Sequence, residues 1–267
     1  MCYDISFTTS VENIADYIPD VDEEEISQLA LKFEPTDHVM AHSFRKYPVI
    51  MIENGAHKIK MFEWGVIADY MNTAEKIKKG RALMCNARSE KVLDDKKSYW
   101  HRIRRQRCLV PVTGIYEHRE IRGWKNKVPY YVHLKDRGLF CIPGLYNYSP
   151  IPDVETGEVK GTFCLMTRAA NDVMKHIHNC GENAFRMPLF LPRELERQWL
   201  QPSLPDAGLN TVLNFEMPAD ALDYYTVYTI RGTKPRPDEK VKTEPYEWAG
   251  LPQLGQDEGS GVQSALF

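Results

Sequence analysis

The second residue of the chain is a cysteine, and removing Met1 would give it a chemistry open to no other position. Methionine aminopeptidases act when the second residue is small, and Cys qualifies. The product carries an α-amine (pKa about 8) two carbons from a thiol (pKa about 8.5), so both are partly reactive near neutral pH. The amine adds to an aldehyde and loses water to give an imine; the thiol then closes on the imine carbon to give a five-membered thiazolidine. An internal Cys or Lys lacks the second group. The same N-terminal thiol, with its own amine as base, could instead serve as a hydrolase nucleophile. Residue types alone leave both chemistries open.

Three further stretches hold groups able to support such chemistry. In Leu83-Met84-Cys85-Asn86-Ala87-Arg88-Ser89-Glu90 an apolar run ends in Asn86, which is both donor and acceptor, and in Arg88, suited to a phosphate or to a plain surface turn. In Arg107-Cys108-Leu109-Val110-Pro111-Val112-Thr113-Gly114-Ile115-Tyr116-Glu117 the acid closes a strongly apolar run. Burial there raises a carboxyl pKa and fits it for proton transfer, although a structural pair with an Arg is equally compatible. The third stretch holds His176, His178, Cys180 and Arg186. One histidine suffices as an acid or base. A metal reading of His-x-His lacks a second ligand cluster, and the six cysteines form no Cys-x-x-Cys pair, so no metal and no cofactor is expected.

The elements that must position these groups read mainly as strands. Strands are expected at Val39–Met40, Pro48–Glu53, Lys58–Ile67, Cys108–Val112, Tyr130–Leu134, Leu139–Tyr148, Thr162–Thr167 and Tyr224–Ile230, with a turn at Asn54-Gly55. Helical spacing covers Asp22 to Lys32, with Ile26, Leu29, Ala30 and Phe33 on one side. Ser89 is expected to cap a helix from Glu90 to about Arg105, and Asn171 one reaching about His178. Further helices are expected at Arg193–Leu200 and Ala207–Asn214. Successive strands with few helices between them predict an α+β fold rather than a doubly wound α/β one. One domain is expected over residues 1–248, with a Gly/Gln/Ser-rich disordered tail over 249–267.

Composition excludes fibrous and disordered classes: 43% of residues are hydrophobic and 27% charged. No apolar run approaches the roughly 20 residues of a membrane span, and the acidic N-terminal stretch lacks the basic and apolar regions of a secretory signal. A cytoplasmic protein with reduced thiols is therefore expected, with Cys108, Cys141 and Cys164 as buried apolar groups. Net charge is −3, yet residues 76–107 hold twelve Lys/Arg against three Asp/Glu. Such a run is either a solvated face or an anion-binding one.

Taken together, the motifs resemble the SRAP family (SOS-response-associated peptidase, the abasic-site-processing proteins). The resemblance rests on Met1-Cys2, Trp64-Gly65, Asn86-Ala87-Arg88-Ser89-Glu90, the run ending at Glu117, Thr167, Ile177-His178 and Arg186-Met187-Pro188, in the family's order from residue 2 to about 230. It departs from the family at Tyr3-Asp4, where Gly-Arg is common, at His118, where an aromatic is usual, and at Cys180–Phe185, which lengthens the His-to-Arg spacing. The resemblance implies curved antiparallel sheets forming a barrel-like core. Its implied partner is single-stranded DNA containing an abasic site, bound by a monomer without membrane or metal. It implies that Cys2 bonds the aldehyde of the opened sugar, that Asn86 hydrogen-bonds that sugar, that Glu117 deprotonates the α-amine and that His178 protonates the ring oxygen. Arg88 and Arg186 would hold flanking phosphates, and Trp64 would help to shape the DNA face. It leaves two alternatives in place: a cysteine peptidase with Cys2 as nucleophile and His178 as base, and a non-catalytic single-strand binder. An abasic-lyase side reaction through the imine follows from the first reading.

Overall fold

The computed structural model describes residues 2–18, 21–232 and 235–256. Among the described residues twelve strands carry the architecture: β1 (Asp4–Phe7), β2 (Thr36–Met40), β3 (Lys46–Glu53), β4 (Ala56–Trp64), β5 (Asn86–Arg88), β6 (Arg107–Val112), β7 (Gly114–Arg119), β8 (Val128–Leu134), β9 (Phe140–Tyr148), β10 (Gly161–Ala169), β11 (Arg186–Pro188) and β12 (Leu222–Thr226). One sheet runs β12-β8-β7-β1-β2. The other runs β11-β10-β4-β3-β6-β9, and β9 pairs back onto β10, closing a ring that β5 joins through β10. Pairing is antiparallel except for β10 with β4 and with β5. The expected α+β fold with a barrel-like core is therefore what the chain forms, with two parallel pairings added.

Local chemistry explains where elements stop. The β4 run ends at Trp64 because Gly65 adopts φ +101°, and a Cβ there would lie 3.0 Å from Phe44. The strand expected to reach Ile67 is cut short by that bend. Gly114 opens β7 beneath Tyr131, whose ring occupies the space a Cβ would need. The Tyr131 hydroxyl then meets Ser6 Oγ at 2.8 Å, tying β1, β7 and β8 together. The helix expected from Glu90 to Arg105 is two short ones, Glu90–Leu93 and Tyr99–Arg102. Between them the Asp95 carboxylate accepts the Lys97 backbone N–H, a local bond that competes with the helix. Ser98, not Ser89, supplies a side-chain cap, accepting from the Trp100 N–H. Asn171 caps the Met174–Ile177 helix, as its type predicts.

The C-terminal expectation is corrected in part. Residues 249–256 lie against the body of the protein, with Leu251 and Leu254 packed on the core. Buried Arg119 donates to the carbonyls of Pro252 (2.9 Å) and Gln253 (2.7 Å). A buried guanidinium needs acceptors, and a backbone segment supplies them whatever its side chains. Residues 257–267, the rest of the expected tail, lie outside the described residues. Among the described residues no helix is long and apolar enough to cross a membrane.

Candidate active site

The two sheets meet at the start of β1. Antiparallel pairing of Ile5 with Ile115 carries the chain back alongside Glu117, so Cys2 reaches the end of β7. From the other sheet β5 brings Asn86, whose side-chain amide donates to the Cys2 carbonyl at 2.9 Å. Asn86 is held from behind by Trp64, whose indole N–H donates to the Cys85 carbonyl at 2.9 Å while its ring stacks on Phe163. His178 ends the short Met174–Ile177 helix and places Nε2 at 3.8 Å from Glu117 Oε2. Four of the residues singled out in the sequence, Cys2, Asn86, Glu117 and His178, thus converge from four elements.

All four are buried: Cys2 is 0% exposed, Asn86 and Glu117 4%, and His178 8%. Burial sets their protonation. It pushes the Glu117 carboxyl up to about 7, with nearby Asp4 adding to the rise. Burial lowers His178 to about 4. The histidine Nδ1–H donates to the Arg186 carbonyl at 2.8 Å, which leaves Nε2 as the lone-pair nitrogen facing Glu117. Near neutral pH His178 is therefore neutral, and the Glu117 carboxyl is about half protonated. Burial also raises the Cys2 thiol well above its ordinary value, helped by Glu117. Its sulfur donates to the Asp4 carbonyl at 3.5 Å.

Among the described residues, two buried oxygens in this cluster, Asn86 Oδ1 and Glu117 Oε1, have no hydrogen-bond partner. Native proteins rarely leave such acceptors unsatisfied, and a donor from outside the chain is one way to satisfy them. A cavity of about 310 Å³ opens beside Glu117, lined also by His178, Tyr3, Asp4, Lys127 and Arg231, among others; Cys2 and Asn86 lie behind its lining. A larger groove of about 890 Å³ lies elsewhere, between Glu25 and Met61, with no comparable cluster of buried titratable groups. Chemistry rather than volume selects the smaller one.

The remaining sequence candidates have other places. Trp64 is fully buried, so its part at the site is to fix Cys85 and Asn86 from inside the core, not to present a surface to DNA. Arg186 is committed to Glu90 through two bonds (2.6 and 3.0 Å) and to the Thr167 carbonyl at 2.9 Å, which fixes β11 against β10. Arg88 is exposed and donates to Asn183 Oδ1 at 2.9 Å. His176 lies on the far side of its helix, near Gly255, whereas His178 faces Glu117. Much of the basic run is consumed internally. Arg81 pairs with buried Glu63, Arg102 with Asp69 and Arg105 with Asp206, while Arg107 donates to the Trp199 carbonyl at 2.6 Å. Lys78, Arg88, Lys96 and Lys97 of that segment stay exposed. Among the described residues no group of three His, Cys, Asp or Glu could hold a metal ion.

Sequence reasoning missed Arg231. Asp4, 2% exposed, accepts from Arg231 Nε (3.0 Å) and Nη2 and from His38 Nε2 (2.7 Å). Burial pushes Asp4 up, but His38 and Arg231 outweigh it and keep its carboxyl below the ordinary value. The acid at position 4 is thus neutralised, and it anchors a guanidinium that lines the cavity. No local signal links residues 227 positions apart; only the fold does.

The protein matches the family model described as SOS response associated peptidase (SRAP) over residues 1–231. The abasic site processing protein YoqW of Bacillus subtilis (strain 168) is 29% identical over 181 residues, covering 68% of this chain and 74% of that one. YoaM of the same organism, also named an abasic site processing protein, is 26% identical over 212 residues, covering 79% and 86%. A solved structure of a protein from Bacteroides thetaiotaomicron superposes with a TM-score of 0.74 at 28% identity, covering 91% of this chain and 97% of that one. One from Bordetella bronchiseptica superposes at 0.65 with 19% identity, covering 85% and 100%, and speaks to the fold alone. The matched span includes Cys2, Asn86, Glu117, His178 and Arg231, and over it the chain belongs to the SRAP family.

Proposed function

We propose that this protein, with Met1 removed, captures the ring-opened abasic site of single-stranded DNA as a thiazolidine on Cys2, shielding the lesion during a DNA damage response. The observation that carries this reading is the pair of buried acceptors, Asn86 Oδ1 and Glu117 Oε1, left without donors beside Cys2. An α-amine on Cys2 and the hydroxyls of an opened deoxyribose are donors of the kind they lack. The names of the curated relatives point to the same substrate class.

Each group has a step. The closed sugar opens when its ring oxygen gains a proton and its anomeric hydroxyl loses one, giving an aldehyde and a 4′-hydroxyl. Protonated Glu117 gives its proton to His178 Nε2, which passes it to the ring oxygen, while the anomeric proton is lost to water and Glu117 is left ionised. The ionised Glu117 then takes a proton from the α-amine as it attacks. Loss of water gives the imine, and the thiol adds to its carbon while its proton passes to the nitrogen. Asn86 holds the Cys2 carbonyl, so nitrogen and sulfur approach the aldehyde together. Arg88 and Arg231 supply cations for the flanking phosphates.

The peptidase alternative finds less support. A thiolate nucleophile needs a lowered pKa or an adjacent base, whereas the Cys2 thiol is pushed up by burial and bonds a carbonyl rather than His178. An amine-first sequence does not need the thiolate. The test is a denaturing gel of Met1-free protein with a single-stranded abasic oligonucleotide. Wild type gives a shifted band, Cys2→Ala gives none, and Cys2→Ser gives one only after borohydride traps its imine. A full-strength band from Cys2→Ala, or none from wild type, overturns the reading.

A further inference from the structure

Phe185 is a large apolar side chain left 56% exposed immediately beside the buried site. Its backbone is in the left-handed region, φ +60°, a conformation that costs a bulky residue about 1 kcal/mol or more. It is nonetheless tightly held. Its N–H donates to the His178 carbonyl at 2.8 Å, and its carbonyl accepts from the Ala170 N–H at 2.9 Å. The loop leading to it is pinned on both flanks. Asn179 makes a reciprocal pair of bonds with the Glu120 backbone (2.8 and 2.9 Å), and Asn183 accepts from Arg88. A chain that pays strain and hydrogen bonds to hold a ring in water, next to its reactive cluster, is presenting that ring to a ligand.

The ligand class follows from the surroundings. The loop from Cys180 to Phe185 contains Glu182 and no Lys or Arg, so it does not itself hold phosphate. What it offers is a π-face, beside one guanidinium, Arg88, that it orients. An aromatic face next to a positioned cation fits a nucleotide: base on the ring, phosphate on the guanidinium. We propose that the loop Asn179–Phe185 is a stacking arm, with Phe185 packing against the nucleobase adjacent to the abasic sugar and thereby holding the lesion over Cys2. This rests on the reading of the site given above and adds the base-recognition element it lacks.

The experiment measures equilibrium binding by fluorescence anisotropy, using the full chain and a single-stranded oligonucleotide carrying tetrahydrofuran, an abasic analogue that cannot form an aldehyde. Phe185→Ala, and Phe185→Gly, which suits the left-handed backbone, are each expected to weaken binding at least about fivefold, the lower end of one base–aromatic stack. Phe185→Trp is expected to keep wild-type affinity. When the nucleotides flanking the analogue are themselves replaced by tetrahydrofuran, wild type and Phe185→Gly are expected to bind equally. Equal affinity of wild type and Phe185→Gly for the base-flanked oligonucleotide overturns the proposal. So does the same loss on the base-free one, which would make the ring structural. Because no covalent step is read, a protein that stacks bases but forms no adduct would sink the crosslinking reading and leave this one standing.

Discussion

The Asn86 side chain donates to the Cys2 carbonyl at 2.9 Å, a bond between the ring-closed sheet and the first strand of the other sheet. It ties Cys2 to the opposite side of the site, and among the described residues its own acceptor oxygen has no partner. Asn86→Ala should therefore loosen Cys2 and delete the acceptor together. A buried hydrogen bond of this kind contributes about 1 kcal/mol to stability. The larger effect falls on the single-turnover crosslinking rate, expected to drop about tenfold or more, with DNA affinity nearly unchanged. Asn86→Asp keeps an acceptor but loses the donor, and should fall between.

Trp64 reaches the same point from inside the core. Trp64→Phe keeps most of the apolar volume but removes the indole donor to the Cys85 carbonyl. The strand holding Asn86 then loses one anchor and keeps its pairing with β10. Stability should fall by about 1 kcal/mol for the lost hydrogen bond, since the Cys85 carbonyl keeps the Leu165 N–H as a donor at 3.1 Å. The crosslinking rate should fall a few-fold, measured at a temperature where circular dichroism shows the variant folded. A rate equal to that of wild type would place Trp64 outside the positioning of Asn86.

The buried pair makes a signed prediction about pH. Glu117 is raised in the folded state to about 7, so the folded protein holds a proton that the unfolded chain has lost; its contribution declines as pH rises from about 4.5 to 7. His178 is lowered to about 4, so the unfolded chain takes up a proton the folded one refuses; its contribution declines as pH falls from about 6.5 to 4. Between about 4.5 and 6.5 the two slopes oppose and largely cancel. Glu117→Gln should therefore become more stable relative to wild type as pH rises to 7, and should show a rising stability between pH 4 and 6.5. His178→Gln should show the falling slope instead. Denaturant midpoints of the three proteins across pH 4–8 check this, and parallel curves would contradict it.

Much of this site was legible in the chain because its groups sit at the ends of apolar runs. Glu117 closes the run from Arg107, and burial of such a run buries its last residue. Asn86 was legible for the same reason, while His178 was picked out from His176 only by the family resemblance of Ile177-His178. What was not legible depends on distant pairing. Arg231 joins the cavity only because Asp4 holds it. The basic run read as a candidate face, yet Arg81 and Arg107 are buried and others are spent on Asp69 and Asp206. The resemblance gave Trp64 a part in shaping the DNA face, whereas its burial and its bond to the Cys85 carbonyl come from packing between distant elements. The helix expected to Arg105 failed on the Asp95 turn, and the start of the expected tail was captured by Arg119, whose burial no local pattern reveals.

The central claim is that nitrogen and sulfur of the same residue, Cys2, bond the sugar carbon. Intact mass spectrometry of two forms, one beginning at Cys2 and one retaining Met1, each incubated with a single-stranded abasic oligonucleotide, tests it directly. The form beginning at Cys2 should shift by the mass of the oligonucleotide less one water, and the form retaining Met1 should remain unshifted. An adduct of equal yield on the protein that keeps Met1, or its absence from the protein that begins at Cys2, would contradict the account.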